Sequence, residues 1–387
     1  MSDTQKNKKP NVPNLRFPGF EGEWNVSSIG NEFELYSGNT PSRLDKNNFM
    51  GEINWITSGE LKNHYIGDTK EKISENSAVI NNLKLLPEGT FVIAIYGLEA
   101  DGVRATGSIT TKRSTISQAC MAFIPKGKIS NEFLYSWYKK HGNLIGIKYA
   151  QGTKQQNLSY DIIERLQIRY PSSQEQEKLN SFISLIDARI SIQNKVIEKY
   201  ESLIKALSRR LIPDEGDDYA ALETLVHICK GEQLNGECLS DNGKYYVMNG
   251  GITPSGYYDD YNTLAGTISI SEGGNSCGFV QFNEMPFWSG GHCYTLLQTS
   301  DERIQYKFLY HFLKSKQDDI MSLRIGSGLP NIQKKDLGRY PVPILSHDSQ
   351  TAITRLLDDV CHYIKNERAI LNDLTVQKQY VLQAMFI

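Results

Sequence analysis

The 387-residue chain is poor in the features that mark several large protein classes. Its six cysteines, Cys120, Cys229, Cys238, Cys277, Cys293 and Cys361, include no CxxC pair and no regular spacing, which argues against a disulfide framework or a thiolate metal site. They read as buried, reduced thiols. No stretch supplies the long uncharged apolar run that a membrane helix needs, and no membrane partner is expected. Met1 to Asn14 is polar and lysine-rich without an apolar h-region, so the expectation is a flexible tail over residues 1–20 of a cytoplasmic protein. A basic excess is missing too: the formal net charge is -2. Phosphate contact would therefore require basic residues gathered on one face, or a partner that supplies them.

Catalytic signatures are equally scarce. There is neither an FxGxG-like cofactor loop nor the [DNS]PP[YFW] turn of an N6-adenine methyltransferase; Glu284-Met285-Pro286-Phe287 lacks the first proline and reads as a strand-edge turn. Gly273 to Gly278 matches neither GxGxxG nor GxxxxGK[ST] and also reads as a turn. Pro213-Asp214 is followed by no ExK or DxK, and no HExxH or GxSxG occurs, so metal-dependent and acyl-transfer hydrolysis find no support. No metal site and no catalytic residue is expected.

What is present is a duplication. The stretch from Gly152 aligns without gaps to that from Gly326, 174 residues later, so that Asn157 meets Asn331 and Gln176 meets Gln350. Upstream, Phe133-Leu134-Tyr135 matches Phe308-Leu309-Tyr310, and at the front of each copy Ile29, Phe33, Leu35 and Gly38 echo Leu222, Val226, Ile228 and Gly231.

Each copy closes on a long run whose apolar residues alternate in steps of four and three, the spacing of a coiled-coil seam. The first seam is Leu179, Ile183, Ile186, Ile190, Ile197, Ile204 and Leu207; the second is Ile353, Leu357, Val360, Ile364, Leu371, Leu374 and Val381. Gln193 and Glu367 interrupt the two seams at the same place, either fixing the register or facing solvent at a local gap. Pro213 and the acidic run Asp214 to Asp218 end the first helix. The organisation expected is a body over residues 21–172, a helix over 173–212, a second body over 213–345 and a helix over 346–387. Short β-rich runs such as Thr90 to Tyr96 and Gly266 to Ser271, separated by glycine-rich turns, make the bodies mixed α/β and the fold class α+β. The bodies diverge between copies while the helices keep their pattern.

Together with this plan, PNLRFPGFEGEW near the N-terminus, the segment Ile53 to Leu61, and Asn157-Leu158-Ser159 followed by an apolar strand, a proline and EQEKL resemble the specificity subunits of type I restriction-modification systems over almost the whole chain. The second junction, NIQKKDLGRYPVPI then DSQTAI, departs mildly from that pattern. The resemblance implies a non-catalytic chain with two target-recognition domains that read a bipartite double-stranded DNA target. It also implies that the two helices form an antiparallel coiled coil with pseudo-twofold symmetry. The implied partners are two methyltransferase subunits, carrying S-adenosylmethionine, and two restriction motor-nuclease subunits, using ATP and Mg; this chain itself would hold no cofactor. The alternatives are a protein-binding scaffold and an anti-restriction relative that binds methyltransferase subunits without reading DNA.

Reading bases in the major groove calls for paired donors and acceptors on projecting loops. In the first body the candidates are Lys62, Asn63, His64, Tyr65, Lys112, Arg113, Ser117, Gln118, Lys154, Gln155 and Gln156. In the second they are Asn249, Tyr257, Asn275, His292 and Arg324. Gly97, Gly273, Gly274, Gly290 and Gly291 beside them allow close backbone approach or serve as turn residues.

Overall fold

A computed structural model describes residues 10–97, 104–149, 156–212, 218–326 and 328–387. Lys154, Gln155 and the Pro213 to Asp217 helix stop lie outside the described residues, as does the side chain of Gln156. The chain divides into two compact units, one of Met1–Ile192 with Leu371–Ile387, the other Gln193–Ile370. Both unit boundaries fall inside long helices, Ser173–Leu211 and His347–Met385, each of 39 residues.

In the first unit a five-stranded sheet runs in the order Phe33–Ser37, Cys120–Pro125, Phe91–Ala94, Gly107–Thr110, Tyr65–Ile66. The central strand, Phe91–Ala94, is buried on both faces and reads as a continuous apolar run. Helix Asn131–Tyr149 lays Phe133, Leu134, Trp137 and Tyr138 into the core on one face. Ile29, Leu158 and Ile168 close that core, joined by Leu179 and Ile183 from the first long helix and Val381, Met385 and Phe386 from the end of the second. The rings of Phe133 and Phe386 lie 5.2 Å apart, and the Trp137 indole N–H donates to the Ile387 carbonyl at 3.2 Å.

The second unit repeats the plan. Its main sheet runs Val226–Lys230, Cys293–Gln298, Thr267–Ser271, Val280–Asn283, all antiparallel, which reproduces the first four strands of the other sheet in order and direction. The small sheets correspond as well: Ile53–Ile56 pairs in parallel with Ser114–Ile116 and antiparallel with Lys72–Ile73, as Tyr245–Met248 does with Trp288–Ser289 and Gly256–Tyr258. Topology is therefore repeated even where the body sequences have diverged. The Glu284 to Phe287 stretch follows the strand Val280–Asn283, and Gly273 to Gly278 is the turn between Thr267–Ser271 and Val280–Asn283.

One further repeat fixes the frame. Gln176, 3 % exposed, donates from Nε2 to the carbonyls of Lys128 (2.9 Å) and Pro171 (3.1 Å) and accepts the Ser130 N–H at 3.0 Å. Gln350, 0 % exposed, makes the same three bonds: to the Arg303 and Leu345 carbonyls, both 2.8 Å, and from the Gln305 N–H at 2.7 Å. One buried amide thus bridges the loop before the body helix to the start of the long helix in each unit.

Along both long helices the seam positions are the sheltered ones. Leu179, Ile183 and Ile197 are buried and Ile186, Ile190, Ile204 and Leu207 half-buried; on the other helix Ile353, Leu357, Val360, Leu374 and Val381 are buried and Ile364 and Leu371 half-buried. Within the second unit Gln193 donates from Nε2 to the Glu367 carboxylate and, at 3.0 Å, to the Glu367 carbonyl, so the two polar seam residues meet each other. Within the first unit Asp187 pairs with Lys378.

Candidate nucleic-acid interface

In the first unit the predicted residues separate into an anchored set and an exposed set. Lys62 and Asn63 are exposed, directly before the edge strand Tyr65–Ile66. His64 turns inward. Its ring lies between those of Tyr65 (4.1 Å, 9°) and Tyr135 (3.9 Å, 3°), with Nδ1 at 3.0 Å from an Asp187 oxygen and Nε2 at 3.0 Å from a Glu132 oxygen. Two carboxylates can only accept, so both ring nitrogens donate and the bound ring is the imidazolium. Burial acts to lower the His64 pKa, but the hydrogen bonds to Asp187 and Glu132 outweigh it and leave it raised. Burial likewise acts to raise the Asp187 carboxyl, and is outweighed by His64 and Lys378, which hold it below its ordinary value. The Tyr65 hydroxyl donates to Glu132 at 3.0 Å and is pushed up to about 12, first by burial and then by Glu132. Lys139, over the Tyr135 ring, is brought down to about 8 by burial and by Lys378. This cluster ties the loop before the edge strand to the body helix and the long helices.

The remaining first-body candidates sit on turns. Lys112 and Arg113 are exposed, Arg113 pairing with Glu75 at 3.1 Å. Ser117 is buried, its amide donating to the Ile56 carbonyl at 2.9 Å, while neighbouring Gln118 is exposed. The segment Ile95 to Gly97 links the turn that carries Gln118 to the strand that carries Gln156: Ile95 N–H donates to the Ala119 carbonyl (3.0 Å), Leu158 N–H to the Ile95 carbonyl (2.9 Å), and Gln156 pairs with Gly97.

In the second unit, Asn249 and His292 come together at one end of the main sheet. The His292 N–H donates to Asn249 Oδ1 at 3.1 Å, and the Gly290 N–H to the Met248 carbonyl at 2.8 Å. Gly250, at φ +84°, and Gly290 pack so closely here that a Cβ would meet His292 atoms at 3.1 Å in the first case and the Asn249 side chain at 2.7 Å in the second. Asn275 is exposed on the following turn; Arg324, also exposed, precedes Ile325, which bridges to Asn331, itself bridged to Gly273. Tyr257 is 40 % exposed on the small sheet.

Two residues at this end escaped sequence reasoning. Glu272, with a side chain only 12 % exposed, holds Lys230 Nζ at 2.6 Å and faces His292 Nδ1 at 3.4 Å. Neither belongs to a motif; their pairing becomes visible only once the strands are laid side by side. Among the described residues no group of three or more His, Cys, Asp or Glu side chains is placed to hold a metal ion, and no helix is long and apolar enough to cross a membrane.

Comparison with known proteins adds three findings. The family model described as type I restriction modification DNA specificity domain matches twice, over residues 21–202 and 218–376. A Mycoplasma pneumoniae protein named as a type I specificity subunit is 40% identical over 32% of this chain and 33% of its own length; a Mycoplasma genitalium protein of the same description is 34% identical over 39% of each. The matches thus span only about a third to two fifths of those relatives. The crystal structure of a type I restriction-modification S subunit from M. genitalium superposes with a TM-score of 0.64 at 21% identity, covering 97% of this chain and 99% of that one, a likeness of fold.

Proposed function

The chain belongs to the type I restriction-modification DNA specificity domain family, whose members are non-catalytic specificity subunits, and from that premise we propose that its two bodies each read one half of a bipartite double-stranded DNA target. The observation that carries this reading is the repetition of one strand order under exposed polar loops that differ between the copies. A common frame with different side chains at its loop ends is what two independent half-site readers need, since base identity is set by a few side chains and not by the scaffold.

The chain selects the site and partners do the chemistry: two methyltransferase subunits with S-adenosylmethionine modify adenine, and two motor-nuclease subunits with ATP and Mg cut. The two seams pack as an antiparallel coiled coil on which those partners dock. The four-three spacing of the seam residues and their sheltered positions support this arrangement, with Gln193 and Glu367 as the polar pair that sets the register. DNA contacts come from the exposed candidates, Lys62, Asn63, Lys112, Gln118, Tyr257, Asn275, His292 and Arg324 among them, with half-buried Asn249 holding the His292 backbone.

The test is to assay methyl transfer by the purified chain, alone and with its cognate methyltransferase subunit, and to map the methylated sites. The expected result is no transfer by the chain alone and adenine methylation at one two-part sequence by the pair. Transfer by the chain alone, or methylation without sequence preference by the pair, would overturn the reading.

A further inference from the structure

The two units allow a position-by-position comparison of their sheet ends. Ile95 N–H donates to the Ala119 carbonyl and Ile95 accepts from Leu158; in the second unit Glu272 N–H donates to the His292 carbonyl (2.9 Å) and Glu272 accepts from Ile332 (2.9 Å). Gly38 N–H donates to Cys120 as Gly231 N–H does to Cys293, which aligns Ser37 with Lys230. Where the first unit carries Ser37, buried Ile95 and Ala119, the second carries Lys230, Glu272 and His292, with Glu272 touching both of the others. The backbone is conserved between the copies while a charged constellation has been set into an apolar position. The carboxylate has its partners in place, yet the first copy fills the same backbone position with isoleucine, so folding does not require the charge and the substitution points to a reason beyond it.

The chemistry of the constellation supplies one. One Glu272 oxygen is occupied by Lys230 at 2.6 Å, and the Tyr294 hydroxyl approaches it at 3.5 Å; the other faces His292 Nδ1. A carboxylate accepts only, so Nδ1 must carry the proton, and in the neutral ring Nε2 on the opposite side is an acceptor. The His292 side chain is 61% exposed, and its backbone is fixed by Asn249. We propose that Glu272 is a positioning residue that locks His292 with Nε2 outward as a hydrogen-bond acceptor, and that His292 reads an exocyclic amine, adenine N6 or cytosine N4, at one position of the half-site bound by the second unit. This rests on the DNA-reading function proposed above.

Glu272→Gln tests it by reversing the hydrogen-bond sense. The single amide oxygen goes to the Lys230 ammonium, so the amide N–H now faces Nδ1, which becomes the acceptor and moves the ring proton to Nε2. An outward donor suits guanine O6 or N7, or thymine O4. In methylomes of cells expressing each variant with the cognate methyltransferase, E272Q is expected to change the preferred base at one position of one half-site. His292→Ala, at an exposed side chain that folding does not depend on, is expected to lose about 10- to 100-fold of discrimination at that same position. The other half-site stays unchanged in both. An H292A target identical to wild type overturns the proposal, and a uniform fall in methylation by E272Q with base identity intact overturns the role of Glu272. A wild-type pair that methylates without sequence preference overturns the underlying reading, and this proposal with it.

Discussion

The two bodies differ most where they are least constrained by packing. Their main sheets share strand order and direction, their small sheets share one parallel and one antiparallel pairing, and both are fastened by a buried glutamine. The sheet ends and edges go separate ways. In the first unit a histidine at the edge strand is sandwiched between tyrosines and held by two carboxylates; in the second a histidine at the sheet end is exposed and oriented by one. Duplication preserves what the core and the backbone hydrogen bonds require, and leaves the outward side chains free to specialise.

The largest effect is expected where the copies are most alike. Gln176→Ala and Gln350→Ala each remove a buried amide that serves two carbonyls and one N–H at a partly buried junction. Each should destabilise its own unit by about 3 kcal/mol, read from urea denaturation. Similar losses in the two units sharpen the equivalence; a loss in only one breaks it.

The histidines come next and should behave oppositely. His64→Ala removes a hydrogen bond to the sheltered Asp187 and one to the more exposed Glu132. The expected cost is about 2 kcal/mol, most of it from the Asp187 side, because solvent screens the other. His292→Ala should stay within about 0.5 kcal/mol of wild type. If the order of the two were reversed, the division into an anchored and a presented histidine would fail.

A smaller contrast concerns pH. His64, raised in the folded chain, contributes stability that is complete below its ordinary value near 6.5 and fades as pH rises through its folded value. His311 is lowered, chiefly by burial and against the hydrogen bond to Asp358 at 2.8 Å, so it favours folding above that ordinary value and costs stability as pH falls. His141, pushed down to about 4 by burial and by Lys140, acts in the first unit in the same sense as His311. Whole-chain stability mixes these, and site-resolved NMR titration separates them: His64 should titrate above the ordinary histidine range and His311 below it.

Much of the frame was legible in the sequence because packing repeats are periodic. Leu179 to Leu207 and Ile353 to Val381 announce two long helices through spacing alone, whereas the gapless alignment of Gln176 with Gln350 marked an equivalence whose three hydrogen bonds only the fold reveals. The shared body topology was not legible, since strands keep a fold through backbone pairing and burial while their residues change. Candidate contacts were the least legible. His64 and His292 look alike in sequence, both in polar loops, and what separates them is the company of Asp187, Glu132 and Tyr135, residues distant in sequence. Glu272 carried no signal at all until the strands placed it opposite Ile95's position in the other copy.

The central claim is that each body reads its own half of the target on a common frame, and a body exchange tests it most directly. Residues 21–172 are replaced by the equivalent body of a relative, the chimera is expressed with the methyltransferase subunit, and the methylated sites are mapped. The prediction is a target in which one half takes the relative's sequence and the other half is retained. A target altered in both halves, or in neither, would contradict independent reading.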